Sequence, residues 1–324
     1  MTWSALHGRL HRQLKISGLL PPGKTLVLAI SGGQDSLCLG RLLLDLQPHW
    51  QWSLAIAHCD HGWPGDHQIA TQVATLAAQW QVPFYLCRPE VPLPETENAA
   101  RQWRYGVLGD LTEQLRGQYV VTGHTQSDRA ETLIYNLARG AGTAGMGSLN
   151  AVRPLKADVT LVRPLLEITR QETADFCQKL HLPVCPDPYN HQLRFKRNQV
   201  RQQVLPKLRE LNTRVDKHLA QTALILQAEN DYLEAIARQH LQQTLNGQNH
   251  LHRPPLQPLH LALQRRIVRQ FLQQILPKMP TFSQITDTVR LIDGANGDRL
   301  GSFPGNIQLQ VVGHWIIPIQ IPHQ

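Results

Sequence analysis

The stretch Thr25-Leu-Val-Leu-Ala-Ile-Ser31-Gly32-Gly33-Gln34-Asp35-Ser36 constrains this chain more than any other. An apolar run ends abruptly in Ser-Gly-Gly, and a strongly apolar helical stretch, Leu37 to Leu46, comes at once after it. That order spells a strand, a tight turn and a helix N-terminus. The first N–H groups of a helix lack intrahelical partners and carry partial positive charge, so they attract anions. Gly32 and Gly33 remove the Cβ atoms that would hold a phosphate away from the backbone, while Ser31 and Ser36 add hydroxyl donors. Asp35 is the odd member, because a carboxylate repels phosphate unless a cation sits between them. Mg2+ is the natural choice, since it prefers carboxylate and phosphate oxygens. The spacing G-x-x-x-x-G-K-[ST] does not occur, which excludes the usual kinase and GTPase grip.

The rest of the first half repeats the same rhythm. The pattern predicts strands at 25–30, 53–58, 83–87 and 118–122. It predicts helices over 4–18, 66–80, 97–113, 127–139 and 169–180. Strands alternating with helices imply a parallel sheet covered on both faces, with ligand at the C-terminal strand ends. A Gly-rich loop covers 140–147 and a Pro-rich turn 183–188. Beyond a boundary near 210–220 the chain reads as mainly helical, with a Gln- and Leu-rich helix over 212–245, further helices over 259–276 and 283–292, and short alternating segments at 307–321. We therefore expect an α/β fold, a Rossmann-like parallel sheet with helices on both faces. It spans residues 1–212, joined to a smaller, mainly helical domain with a short β tail over 213–324.

The chain has 324 residues and a formal net charge of +8. That surplus suits a polyanionic partner, nucleic acid before membrane. No apolar run reaches membrane-spanning length, and residues 1–17 lack the apolar core of a signal peptide, so a cytoplasmic location is expected. The five cysteines, at 38, 59, 87, 177 and 185, form no C-x-x-C pair. Structural disulfides and a local zinc or iron–sulfur motif are not expected.

Several other blocks carry chemistry-bearing side chains. His58-Cys59-Asp60-His61-Gly62 ends the second strand, where Asp60 and His61 would face a ligand. Glu97, Arg101 and Arg104 share one helix face, and Arg104 is suited to hold phosphate bidentately. Gly123-His124-Thr125-Gln126-Ser127-Asp128-Arg129-Ala130-Glu131 opens a helix directly after the fourth strand. His124 is a candidate acid, base or phosphate donor. Asp128 and Glu131 fall on one face and suit a cationic ligand, or simply favour the helix N-terminus. The stretch from Arg194 to Lys217 gathers Arg194, Lys196, Arg197, Arg201 and Lys207 into a basic stripe fitted to RNA phosphates.

The loop Ser-Gly-Gly-x-Asp-Ser after a first strand resembles the pyrophosphate-binding loop of the N-type ATP pyrophosphatases. Together with Arg139-Gly140-Ala141-Gly142, Arg163-Pro164-Leu165-Leu166, Phe195-Lys196-Arg197-Asn198-Gln199-Val200-Arg201 and Ala262-Leu263-Gln264-Arg265-Arg266, it resembles the tRNA(Ile)-lysidine synthetase branch in its short form. That resemblance implies a ligase using ATP to adenylate the wobble cytidine of a CAU-anticodon tRNA(Ile), with free lysine then displacing AMP. Codon reading would change from AUG to AUA. By the same resemblance, Ser31, Gly32, Gly33, Gln34, Asp35 and Ser36 hold ATP, with Mg2+ at Asp35. Arg104, His124 and Arg197 serve the reaction, and Asp128 and Glu131 bind lysine. Position and charge, rather than the resemblance, add Asp60 as a catalytic candidate, with Asp60, Asp128 and Glu131 left open as the base for the lysine proton, and Arg194, Lys196, Arg201 and Lys207 as tRNA contacts. A homodimer is left open. The branch often has two histidines and two adjacent acids where this chain has His124-Thr125 and Ser127-Asp128. Competing readings are a tRNA thiolase of the same superfamily, disfavoured by the missing C-x-x-C, and a non-catalytic tRNA-binding protein, disfavoured by the intact loop.

Overall fold

A computed structural model describes residues 3–63, 66–147, 149–185 and 192–321. The expected turn at 183–188 therefore lies partly outside the described residues. The first unit covers residues 1–227. Its elements run α1 (Ala5–Ser17), β1 (Thr25–Ala29), α2 (Gln34–Trp50), β2 (Ser53–Cys59), α3 (Asp66–Gln79), β3 (Phe84–Cys87), α4 (Glu97–Gln114), β4 (Tyr119–Thr122) and α5 (Gln126–Ala138). Next come α6 (Thr143–Met146), β5 (Val152–Pro154), β6 (Thr160–Val162), α7 (Arg170–Lys179), α8 (Lys196–Gln199), a π-turn (Val200–Val204), α9 (Leu205–Leu211) and the start of α10 (Val215–Thr244).

The strand order is β3-β2-β1-β4-β6-β5, parallel throughout except for β5, which runs antiparallel to β6. Alternation along β1 divides the core. Leu26 and Leu28 join a cluster with Leu10 and Leu14 of α1, Leu39 and Leu43 of α2, and Phe176 of α7. Val27 points the other way, into a cluster with Leu108 and Leu111 of α4 and Val120 of β4. Leu26 and Leu28 are almost wholly buried, and each such leucine contributes roughly 2 kcal/mol of burial free energy. The chain leaves β1 toward β2 and later returns to place β4 on its other side. The C-terminal ends of β1 and β4 thus flank the point where strand order reverses, where ligands bind in open α/β sheets.

Capping chemistry fixes the two helices that matter most beside that crevice. Thr125 and Asp128 form a reciprocal capping box on α5, and Thr169 and Glu172 do the same on α7. Helix α2 differs: Gly33 is its N-cap and makes no side-chain cap.

The second unit covers residues 228–324, so the division falls inside α10. It contains the remainder of α10, β7 (Leu251–His252), a 3-10 turn (Pro254–Leu256), α11 (Leu261–Ile275), α12 (Phe282–Arg290), β8 (Arg299–Phe303), β9 (Ile307–Val312) and β10 (Trp315–Gln320). The strands form a sheet of order β7-β10-β9-β8. Ile267, Phe271 and Leu272 of α11 pack with Leu309, Val311 and Ile316 of that sheet. The unit holds more sheet than the expected β tail, because the two-residue β7 and the bulged β8 are defined by their antiparallel pairing rather than by local alternation. Among the described residues no helix is long and apolar enough to cross a membrane.

Candidate functional site

A cavity of about 340 Å3 opens at the β1–β4 crevice. Its wall includes Ser31, Gly33, Gln34, Asp35 and Ser36 from the first loop, His124 and Asp128 from the second, and Arg104 from α4. Sequence-distant blocks therefore meet because β1 and β4 are hydrogen-bonded neighbours, in register from Leu26–Tyr119 to Ala29–Thr122.

The Ser31–Ser36 loop is held by its own hydroxyls. Ser36 Oγ donates to the Gly33 carbonyl at 2.8 Å and accepts from the Ser31 amide at 3.1 Å. The Gly33 amide donates to Ser31 Oγ at a long 3.4 Å. Gly32 has φ +85°, and a Cβ there would lie 2.6 Å from Ile69 Cγ2. Only glycine meets both the backbone angle and the space. With no side-chain cap on α2, its first N–H groups remain available to an anion.

Asp35 is partly buried at the start of α2. It accepts a hydrogen bond from Thr173 Oγ1 and a long one from Gln34 at 3.4 Å, and lies 3.8 Å from Arg170 Nε. Burial raises its pKa above the ordinary carboxylate value, with Asp128 adding to the rise, although Arg170, Thr173 and Gln34 oppose it. An ionised carboxylate under such pressure gains from a cation, and Mg2+ needs only one or two carboxylates when phosphate oxygens and water complete its shell. Among the described residues no group of three or more His, Cys, Asp or Glu is gathered around a single metal position. The donor set thus fits a cation shared with bound phosphate rather than one caged by protein alone.

His124 sits at the mouth of α5 with Nδ1 2.9 Å from Thr122 Oγ1. Burial drives its pKa well below the ordinary histidine value, and Arg163, Arg197 and Arg101 push the same way against Asp128. At neutral pH the imidazole is uncharged. Asp128 accepts from the backbone amide and the hydroxyl of Thr125, both at 2.8 Å, and from Arg201 Nη2 at 3.4 Å. Burial works to raise its pKa, but His124, Arg197, Arg201 and the Thr125 amide together hold it down at about 2. Glu131, one turn on, is 1% exposed and is gripped by Arg201 at 2.6 and 2.8 Å. Burial raises the Glu131 pKa even so.

The structure separates other residues from the cavity. Asp60 is buried and bonds Arg88 at 2.8 Å and the Gly62 amide at 3.0 Å, and it does not line the wall. His61 does line it, 3.2 Å from Arg104 and beside Trp63. Arg197 bonds Thr132 at 2.8 Å and Glu97 at 3.1 Å. Arg201 does line the cavity, turned toward the acids of α5. Arg194 pairs with Glu95 and Lys207 with Glu210 on the surface, and Lys196 is exposed beside Gln199. Arg170, Thr173 and Tyr105 join the site without any motif to mark them. The first two reach Asp35 only because α7 packs on α2, and nothing local to either segment announces that contact.

Comparison with known proteins bears directly on this geometry. A model of the PP-loop domain matches residues 8–208, and a model of the TilS substrate binding domain matches residues 251–312. A tRNA(Ile)-lysidine synthase of a Nostoc species is 45% identical, the match covering 98% of this chain and 97% of the relative. One from a Synechococcus species is 46% identical, covering 97% and 96%.

The chain belongs to the tRNA(Ile)-lysidine synthase family.

Among solved structures, the U34-tRNA thiolase NcsA from Methanococcus maripaludis matches with a TM-score of 0.57 and 15% identity. That match covers 68% of this chain and 78% of the thiolase. It shows a shared fold.

Proposed function

We propose that this protein is an ATP-dependent ligase that joins lysine to C2 of the wobble cytidine in a CAU-anticodon tRNA(Ile). Near-full-length identity of about 45% to tRNA(Ile)-lysidine synthases carries the reading. The arrangement of Asp35, His124 and Asp128 around one crevice is what such chemistry requires. The domain division that suits this role assigns the chemistry to residues 1–212 and RNA recognition to 213–324.

In this reading the ATP phosphates lie on the uncapped N-terminus of α2, within reach of the Ser31–Ser36 loop. The cytosine O2 attacks the α-phosphorus, the α–β phosphoanhydride bond breaks, and pyrophosphate leaves. The lysine ε-ammonium gives up a proton to solvent, the freed nitrogen forms a bond to C2, and the C2–O bond breaks to release AMP. Asp35 is the residue that would hold Mg2+, which supplies charge neutralisation for the phosphates when bound. Arg104 stands where it can share phosphate charge, anchored against His61. The neutral imidazole of His124 offers a hydrogen bond without adding charge.

Free lysine carries two amines with high pKa values, about 10.4 for the side chain. Among the described residues, Asp35 and Asp128 are the carboxylates lining the cavity. With a pKa held at about 2, Asp128 stays ionised and attracts an ammonium group at any physiological pH. Glu131 lies behind it with both oxygens held by Arg201, so in this proposal Asp128 meets the ammonium group and Glu131 fixes Arg201 beside it, which corrects the expectation that both acids bind lysine.

The deciding experiment incubates the purified chain with ATP, Mg2+, radiolabelled lysine and CAU-anticodon tRNA(Ile), with initiator tRNA(Met) as control. Label entering only tRNA(Ile), and lost in Asp35→Ala, is the expected result. ATP-dependent AMP formation with a sulfur donor but not lysine overturns the reading in favour of a thiolase.

A further inference from the structure

A second cavity in the same unit, of about 760 Å3, carries an unusual charge balance. Arg101, Arg139, Arg153, Arg163 and Arg197 line it, against Glu97 alone. Glu97 is already paired with Arg197. The other four arginines have no carboxylate partner among the described residues.

Three of them converge on Tyr105. Arg101 and Arg153 lie over its ring, 5.6 and 5.3 Å from the centroid, and Arg163 Nη2 donates to its hydroxyl at 3.3 Å. Arg163 is 2% exposed, and its Nε has no hydrogen-bond partner among the described residues. Stacking on an aromatic face offsets part of the mutual repulsion of guanidinium groups, but leaves in-plane N–H donors for another acceptor. Burial lowers the Arg163 pKa, and Arg101 and Arg153 add to the fall, while Tyr105 opposes it. A cluster of forked donors with no carboxylate partner is a receptor for an oxyanion.

The cluster adjoins the ATP site. Tyr105 lines the first cavity, while the arginines around it line the second. On α5, Asp128 lines the first cavity and Thr132, one turn later, lines the second. Two sources of oxyanion are therefore at hand, the phosphates of ATP and the backbone of the RNA. The ATP phosphates already have the Ser31–Ser36 loop. The second cavity is the larger, and Arg139 and Arg153 at its rim are exposed.

We propose that Arg101, Arg153 and Arg163, arrayed on Tyr105, bind a backbone phosphate of the tRNA close to the nucleotide undergoing reaction. The inference rests on the function proposed above and names a contact for it.

The test is a salt titration of tRNA(Ile) binding by fluorescence anisotropy, using the full chain and a labelled CAU-anticodon transcript. Arg101→Gln and Arg153→Gln should each weaken binding about tenfold and flatten the plot of log affinity against log salt by about 0.7 to 1. Arg153→Lys should keep the slope near wild type, since it retains the charge. ATP and pyrophosphate affinities, measured by calorimetry, should change less than about twofold. Unchanged slopes and affinities in folded variants would show the arginines to be packing groups of Tyr105 and overturn the proposal. Weakened pyrophosphate binding with an unchanged RNA slope would assign the cluster to the nucleotide and overturn it equally. Failure of the wild-type chain to bind the tRNA or incorporate lysine would instead overturn the function itself.

Discussion

Arg201 holds Glu131 in a fork, donating from Nε at 2.6 Å and from Nη2 at 2.8 Å to the two carboxylate oxygens. Nη2 also reaches Asp128 at 3.4 Å. A side chain from the helical segment after α8 thereby neutralises two acids of α5. Removing one partner of a buried pair leaves the other charge without compensation, which costs about 3–5 kcal/mol. Arg201→Ala should lower thermal stability accordingly, whereas Arg201→Met combined with Glu131→Leu should recover most of the loss. Calorimetric or circular-dichroism melts distinguish the two, and equal melting temperatures for Arg201→Ala and wild type would contradict this account.

Asp35 separates stability from activity. Its pKa is raised in the folded state, so the ionised form is less comfortable there than in the unfolded chain. This carboxylate therefore favours folding most below its unfolded value of 3.8, and that advantage fades as pH rises through the raised value. At pH 7 Asp35→Asn should leave the melting temperature unchanged or higher, while lysine transfer falls at least about a hundredfold, in line with loss of a charge-stabilising group. A variant that is both active and unchanged in stability would argue against the role of this residue.

Asp128 makes the opposite contribution. Its folded pKa of about 2 lies below the ordinary carboxylate value of 3.8. A depression of that size corresponds to about 2 kcal/mol of stability. The contribution is present above about pH 4 and is lost as pH falls toward 2. Urea melts of wild type and Asp128→Asn across that range should converge on acidification. Parallel curves would show that the carboxylate is not held down in the folded state.

Gly123 directly follows β4 and lies against the start of α2. A Cβ at this position would lie 2.7 Å from the Asp35 carbonyl oxygen and 2.9 Å from the Ser36 amide nitrogen. Backbone cannot yield as a flexible side chain would, so Gly123→Ala must move β4 away from the phosphate loop. An overpacking cost of about 1–3 kcal/mol is expected, with a raised KM for ATP and a smaller change in KM for lysine. Steady-state kinetics on folded variant protein reads the difference.

The parts of the site that are legible in the sequence are those whose geometry is local. Ser31 to Ser36 and His124 to Asp128 each come after a strand and open a helix, so apolar runs and turn residues place them at strand ends. The four strands β1 to β4 and the helices between them fall within a few residues of the expected bounds for the same reason. The three-residue strands β5 and β6 have no such signature. Val152, Arg153 and Pro154 are all exposed, so β5 has no alternation, and it exists through its pairing with β6. Asp60 sits at a strand end where the sequence alone would turn it toward the ligand, but Arg88, just beyond β3, draws it aside. Arg201 carries the signature of a phosphate contact because charge in a sequence does not reveal which acid it will meet. Arg170 and Thr173 approach Asp35 through helix packing, and the Tyr105 cluster is assembled from α4, β5 and the residue after β6.

The π-turn at Val200–Val204 sets the phase of the helix beyond it. A turn of this kind accommodates one residue more than an α-turn, and each residue advances a helix by about 100°. Arg197 and Arg201 precede or begin the wide turn and aim at α5, while Arg209 lies beyond it and reaches Asp216 at 2.7 Å. The extra residue thus acts like a gear tooth between two sets of contacts. Loss of a single codon between Gln202 and Val204 would leave a smoother helix, yet it would rotate the wholly buried Leu205 out of its seat while Arg201 stayed engaged.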